Sequence, residues 1–170
     1  LRLHTFPYDP FQRAAITAVA GHDSIIVAAP TGAGKTVIAD YVIADALAQQ
    51  RPVIYTAPIK ALSNQKYRDF SAQYGDLVGI VTGDVAINAQ APLRIMTTEI
   101  YRNTLLDQPE AVADAAWAIF DEVHYLDDEE RGTVWEESLM LTPARTRILC
   151  LSATVPNVDE MAARLQQVLQ

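Results

Sequence analysis

The stretch SIIVAAPTGAGKTVIAD (24–40) constrains this chain more than any other. An apolar run, SIIVAA (24–29), leads into a loop carrying Gly32 and Gly34. Val37, Ile38, Tyr41 and Val42 then recur at helical spacing. A strand, a tight loop and a helix in immediate succession aim loop N–H groups and the positive helix end at one point, which makes an anion site. Lys35 and Thr36 specify the anion: the lysine is expected to hold the β- and γ-phosphates of a nucleotide, and the threonine to ligate Mg²⁺. Ala29, Pro30, Thr31, Gly32, Ala33 and Gly34 form the expected cradle. Ala29 stands where the full phosphate-loop pattern has glycine, and the core GxGK[ST] is intact.

Five further apolar runs follow: VIYTA (53–57), LVGIV (77–81), RIMTT (94–98), AWAIFDE (116–122) and RILCLSA (147–153). They are mostly continuous rather than alternating, the pattern of strands buried on both faces of a parallel sheet. Amphipathic stretches lie between them, and Thr133 with Glu136, and Asn157 with Glu160, read as capping boxes. The order strand–helix–strand predicts a doubly wound, three-layer α/β domain with a mainly parallel sheet over residues 1–170. Ligands in such sheets sit beyond the carboxyl ends of the strands, so chemistry is expected where these runs end. The fifth run ends in DEVH (121–124). Asp121 there is a candidate Mg²⁺ ligand, directly or through water, and Glu122 a candidate to activate the attacking water. The sixth ends in Ser152, Ala153 and Thr154, small residues that could couple the nucleotide site to a second ligand. His124 is a candidate for the same coupling, with a loop histidine of no role left open.

Half of the 170 residues are apolar and a fifth charged, which excludes a disordered chain. No apolar run approaches the roughly 18 residues of a membrane span. The N-terminus LRLHTFPYDP lacks the layout of a secretory signal, and it lacks Met, as an excised fragment would. The single cysteine, Cys150, excludes a disulfide framework and reads as a buried thiol. These features fit a cytoplasmic protein. The net charge of −8 opposes binding to phosphate backbones, but the charge is uneven. Residues 51–68 carry Arg51, Lys60, Lys66 and Arg68 and no acid, whereas 107–130 carry nine acids and no Lys or Arg. A locally basic face on an acidic body and two ordinary solvated faces both remain open.

Taken in order and spacing, AAPTGAGKT, DEVH and SAT resemble motifs I, II and III of superfamily 2 helicases. TAPIKALSNQKYRDF (56–70) resembles motif Ia of the superkiller and exosome-associated RNA helicase branch. DEVHYLDDEERGTVWEE (121–137) is similar to that branch's extended motif II. The resemblance covers nearly the whole chain and implies a RecA-like, DExH-box first lobe using ATP and Mg²⁺. In FPYDPFQ (6–12) it implies that Gln12 reads the adenine edge and Phe6 stacks on its ring; ordinary core packing stays equally open for Phe6, while Phe11 reads as core. It implies a single-strand path lined by Pro58, Lys60 and Ala61, by Thr82, Gly83 and Asp84, and by Thr97, Thr98 and Glu99, with RNA favoured over DNA. Such contacts are chiefly to the sugar–phosphate backbone. Lys60 and Lys66 as plain exposed helix lysines also stays open.

The family's motor has two lobes, and the second, with its arginine finger, is expected to be absent here. That finger is worth roughly 10³–10⁵ in rate in related phosphoryl transfer, so these residues are expected to bind nucleotide and hydrolyse it poorly. Three other readings remain: a DNA-directed motor of the same superfamily, a phosphate-loop kinase or nucleotide switch, and a scaffold that has lost the chemistry. Intact Lys35, Thr36, Asp121 and Glu122 oppose the last.

Overall fold

The computed structural model describes residues 7–21, 24–30, 32–123, 129–153 and 158–169. Within them seven strands form one sheet in the order β1-β7-β6-β2-β5-β3-β4. The strands are β1 (Ser24–Ala28), β2 (Val53–Ala57), β3 (Val78–Val81), β4 (Ala86–Ile87), β5 (Leu93–Thr97), β6 (Trp117–Phe120) and β7 (Arg147–Ser152). Every pairing is parallel except β3 with β4. Six of the seven fall on the apolar runs of the sequence: β2 matches its run, β1, β3 and β7 lose one residue, β6 loses three, and β5 starts one residue early, at Leu93. β4 has only two residues, both exposed, and carries no hydrophobic signature.

The helices are α1 (Pro10–Gly21), α2 (Thr36–Ala48), α3 (Lys60–Tyr74), α4 (Thr98–Asp107), α5 (Glu129–Leu141) and α6 (Val158–Val168). Two apolar clusters show how they cover the sheet. Val53 and Tyr55 of β2 pack with Val19 of α1, Ile38 and Val42 of α2 and Phe70 of α3. Ile54, one residue along, packs with Tyr101 of α4, Leu139 of α5 and Leu165 of α6. Successive strand residues point to opposite faces, so β2 is covered at every position: all five of its residues are buried, and the one small polar residue, Thr56, donates its hydroxyl to the Ile119 carbonyl. β5 and β6, flanked on both sides in the same way, are also buried throughout.

One sequence expectation needs correction. Helix α5 starts at Glu129, so Thr133 lies a full turn inside it and does not cap it with Glu136. The strand of the DEVH run stops at Phe120, which puts Asp121 at a strand end as expected, and Glu122 takes a left-handed backbone, φ 55°. The second expected capping box falls on Asn157, outside the described residues; α6 begins at the next position, Val158.

The parallel pairing puts the carboxyl ends of β1, β2, β3, β5, β6 and β7 along one edge. The loops beginning at Ala29, Pro58, Thr82, Thr98, Asp121 and Ala153 therefore share one side of the molecule.

Candidate nucleotide and strand-binding site

The phosphate-type loop begins as an extension of the sheet. The Ala29 N–H donates to the Ser152 carbonyl at 3.2 Å, joining the loop to the last residue of β7. The chain then turns so that the Ala33 N–H meets the Pro30 carbonyl at 3.0 Å. Gly32 and Gly34 have φ of 84° and 90°, values that disfavour any side chain. At Gly34 a Cβ would lie 2.5 Å from Nε2 of Gln12, so a side chain there would also displace the end of Gln12. The loop leads directly into α2, whose first residue is Thr36, exposed beside the loop. The Lys35 ammonium donates to the carbonyls of Ala29, at 2.6 Å, and Pro30, at 3.4 Å. It spans the loop on two neutral acceptors that an anionic group can replace.

Gln12 lies beneath this loop, 4% exposed on α1. Its Nε2 donates to the Gly34 carbonyl at 3.1 Å, and its Oε1 accepts from the Asp9 N–H at 2.9 Å. A carboxamide has two donor hydrogens and two lone pairs, so one of each is left to read a base. Phe11 packs against the core, as expected. Phe6 and Thr31 lie outside the described residues.

Asp121 is held firmly. Its N–H donates to the Thr56 carbonyl at 2.9 Å, which sets it directly after β6 and beside β2. Its Oδ1 accepts from the Glu122 N–H at 2.9 Å and its Oδ2 accepts from the Tyr55 hydroxyl. Lys66 of α3 brings its ammonium within 3.9 Å of the same Oδ2 and is only 20% exposed. It is therefore no ordinary solvated helix lysine. Tyr55 is held well above the ordinary tyrosine pKa, first by burial and then by the negative charge of Asp121, so its hydroxyl keeps the proton it donates. The strained backbone at Glu122 turns the residue after Asp121 out of the strand line, and such strain clusters at functional sites. Among the described residues, no three potential ligands converge on a metal position. The chemistry still suits Mg²⁺, which keeps several waters and binds through one or two protein oxygens plus substrate phosphates. Thr36 and Asp121 are such oxygens. His124 and Thr154 lie outside the described residues. Ser152 is fully buried, its hydroxyl donating to the Ala153 carbonyl at 2.9 Å.

A groove of about 960 Å³ opens along the same edge of the sheet. It brings together Pro58, Lys60, Ala61, Gly83, Thr97, Thr98 and Glu99, the residues expected to line a strand path. Thr82 is buried just behind, its hydroxyl accepting from the Asp84 N–H at 3.4 Å. Lys60 and Asp84 pair across the groove mouth at 2.5 Å. Thr97 caps α4, its hydroxyl accepting from the Ile100 N–H at 3.3 Å. The first turns of α3 and α4 both face the groove, and their N–H groups can take phosphate oxygens. The sequence reading missed Ile59, Ile100, Arg102, Thr133 and Val134 in the lining. Arg102 follows Thr98 and Glu99 by four and three positions, the spacing of one helix face, which was the available signal.

Comparison with known proteins agrees with this geometry. Residues 9–161 match the family model of the DEAD/DEAH box helicase. The chain is 48% identical over 167 residues to the ATP-dependent RNA helicase mtr4 of Schizosaccharomyces pombe, covering 98% of this chain and 15% of that protein. It is 54% identical over 157 residues to Superkiller complex protein 2 of Homo sapiens, covering 92% of this chain and 12% of that protein. The chain thus spans less than a fifth of the length of these curated relatives. Among solved structures, helicase MrfA bound to DNA and AMPPNP superposes with a TM-score of 0.79 at 19% identity, over 93% of this chain and 26% of that one, a likeness of fold. Helicase Lhr of Mycobacterium smegmatis bound to ssDNA and AMP-PNP gives 0.75 at 28% identity, over 90% of this chain and 24% of that one. With the family model covering nine-tenths of its length and a RecA-like α/β sheet beneath it, the chain belongs to the DEAD/DEAH box helicases.

Proposed function

We propose that these residues are the ATP-binding lobe of a motor that moves along and unwinds RNA. The observation that carries this is the common edge: the Lys35 loop, Asp121 and the Lys60–Thr98 groove all lie beyond the carboxyl ends of one parallel sheet. Loop N–H groups and Lys35 take the phosphates, the ammonium leaving the carbonyls of Ala29 and Pro30 for charged oxygens. Thr36 and Asp121 are the residues that would hold Mg²⁺, which when bound would supply charge neutralisation at the phosphates, and Glu122 would orient and activate the water that attacks. Gln12 uses its remaining donor and acceptor on adenine.

The groove takes a single strand by its backbone, through the first turns of α3 and α4, Thr98 and Lys60. Backbone contact of this kind suits a motor indifferent to sequence. The charges in its wall are Lys60, Arg102 and Glu99, so two cationic side chains and the neutral donors share the grip. A second lobe outside these residues would close over nucleotide and strand, supply an arginine, and convert hydrolysis into a change of grip. Ser152 and Ala153 support such coupling, because the Ser152 carbonyl takes the first N–H of the nucleotide loop. A cytosolic setting fits the one buried thiol.

RNA is favoured because relatives at about half identity are RNA helicases by name. DNA is the second reading, favoured by the likeness to Lhr bound to ssDNA. The test has two steps. Fluorescent ADP is titrated into this chain with Mg²⁺, beside Lys35→Ala, and saturable binding lost in the variant is expected. The longer protein carrying these residues is then assayed for ATPase stimulation by RNA and by single-stranded DNA. Stronger stimulation by DNA overturns the RNA assignment.

A further inference from the structure

Asp121 has two side-chain neighbours that no phosphate-loop pattern contains. The Tyr55 hydroxyl, on the fully buried central strand β2, donates to Oδ2. The ring behind it is fixed edge-on against Phe70 of α3, with centroids 5.2 Å apart and planes at 68°. The hydroxyl therefore has one position, and it pins one carboxylate oxygen while the Glu122 N–H pins the other. Lys66, one turn before Phe70 on α3, lies 3.9 Å from Oδ2 and 6.0 Å from the centre of the Tyr55 ring. Asp40 and Glu122 also bear on this corner through their charge, both acting on Tyr55. Beside these acidic charges Lys66 brings a cation to the oxygen that Tyr55 holds.

We propose that Tyr55 and Lys66 are positioning residues for Asp121. Tyr55 sets the carboxylate's orientation toward a divalent cation, and Lys66 neutralises Asp121 until that cation displaces it. The proposal rests on the nucleotide-binding reading above. The two residues act with opposite sign on cation affinity. A hydrogen bond that fixes the carboxylate in its working rotamer favours the ion, because outer partners orient a metal ligand. A positive charge 3.9 Å from the same oxygen opposes a second positive charge. A role confined to packing predicts no such opposition.

The experiment measures fluorescent ADP binding to the chain while Mg²⁺ is raised from EDTA to millimolar concentrations. Wild type is compared with Tyr55→Phe and Lys66→Met, and a melting curve is taken for each. Tyr55→Phe keeps the ring against Phe70 and removes only the hydroxyl. Its Mg²⁺ midpoint is expected to rise roughly tenfold, with ADP binding in EDTA unchanged. The Lys66→Met midpoint is expected to fall by roughly threefold or more, also with binding in EDTA unchanged. Midpoints that stay together while melting temperatures shift overturn the proposal and leave nucleotide binding standing. A Lys66→Met midpoint that rises, or weaker ADP binding by that variant in EDTA, overturns the displacement role. Wild type that binds no ADP with or without Mg²⁺ overturns both the nucleotide reading and this proposal.

Discussion

The Gln12 side chain donates to the carbonyl of Gly34 at 3.1 Å, tying α1 to the turn that precedes Lys35. A Cβ at position 34 would push the Gln12 amide out of this contact. Whatever Gln12 does to a base, it also sets the shape of the phosphate loop. Gln12→Glu puts a carboxylate against the Gly34 carbonyl, and losing a buried hydrogen bond and gaining repulsion there costs about 1–3 kcal/mol. A 10- to 100-fold weaker binding of fluorescent ADP is the expected result. GDP should weaken by a similar factor if the loop shape, rather than base reading, dominates. Binding unchanged from wild type would remove Gln12 from the site.

Lys35→Ala deletes the charge that now spans Ala29 and Pro30. Hydrogen bonds to charged groups are worth up to about 3 kcal/mol each, so a loss of roughly 100-fold in ADP affinity is expected. The melting temperature without nucleotide should barely move, since the ammonium is bonded only to loop carbonyls. Isothermal calorimetry and a melting curve together check both halves.

Glu122→Gln separates binding from hydrolysis. In the longer protein the variant should bind ATP like wild type and lose at least about 10²-fold in turnover, as expected for a removed general base. The 170-residue chain alone should hydrolyse ATP near background even as wild type. Single-turnover assays on both proteins check this, and brisk turnover by the short chain would remove the need for a second lobe.

Lys60 sits at the groove mouth beside Asp84. If it meets a strand phosphate, Lys60→Ala should weaken strand binding and reduce the slope of log K against log salt by about 0.7. A weaker affinity with an unchanged slope would mean that Lys60 shapes the groove without touching phosphate.

Burial raises Cys150 from an ordinary 9.0 to about 12. The unfolded chain therefore loses this proton first. The contribution of the neutral thiol to stability is complete below about pH 9 and falls by about 1.4 kcal/mol per pH unit as pH rises toward 12. Tyr101, raised by burial to about 12, adds to the decline above pH 10. Cys150→Ala should flatten the alkaline branch of a plot of urea midpoint against pH, and a parallel curve would contradict the assignment.

The strands and the nucleotide loop were legible because their causes are local. A strand covered on both faces is mostly apolar, as β2 and β7 are apart from Thr56, Arg147 and Ser152, and glycine at 34 answers to its own backbone and to one neighbour. Lys66 was not legible because its orientation depends on β6 lying beside β2, a pairing of residues more than sixty positions apart. Tyr55 reads in VIYTA as one more core residue, and only the strand order makes its hydroxyl a donor to Asp121. The two-residue β4 has no period to detect. Arg94 was invisible for the opposite reason: inside an apolar run its charge looks like a strand boundary. It is 3% exposed and bonded to the Ala111 carbonyl and Asp114.

The order of the sheet also sets a timetable for the emerging chain. β1 pairs only with β7 among the described strands, Ser24 facing Ile148. About 120 residues of synthesis separate the strand that carries the phosphate loop from the only strand that can seat it. Contacts this distant close late, after the loop entropy between them has been overcome. Until β7 emerges from the ribosome, β2, β5 and β6 can assemble while β1 waits with its hydrogen-bonding groups unpaired. A chain broken off before Arg147 therefore has the loop residues without the strand that pairs with β1.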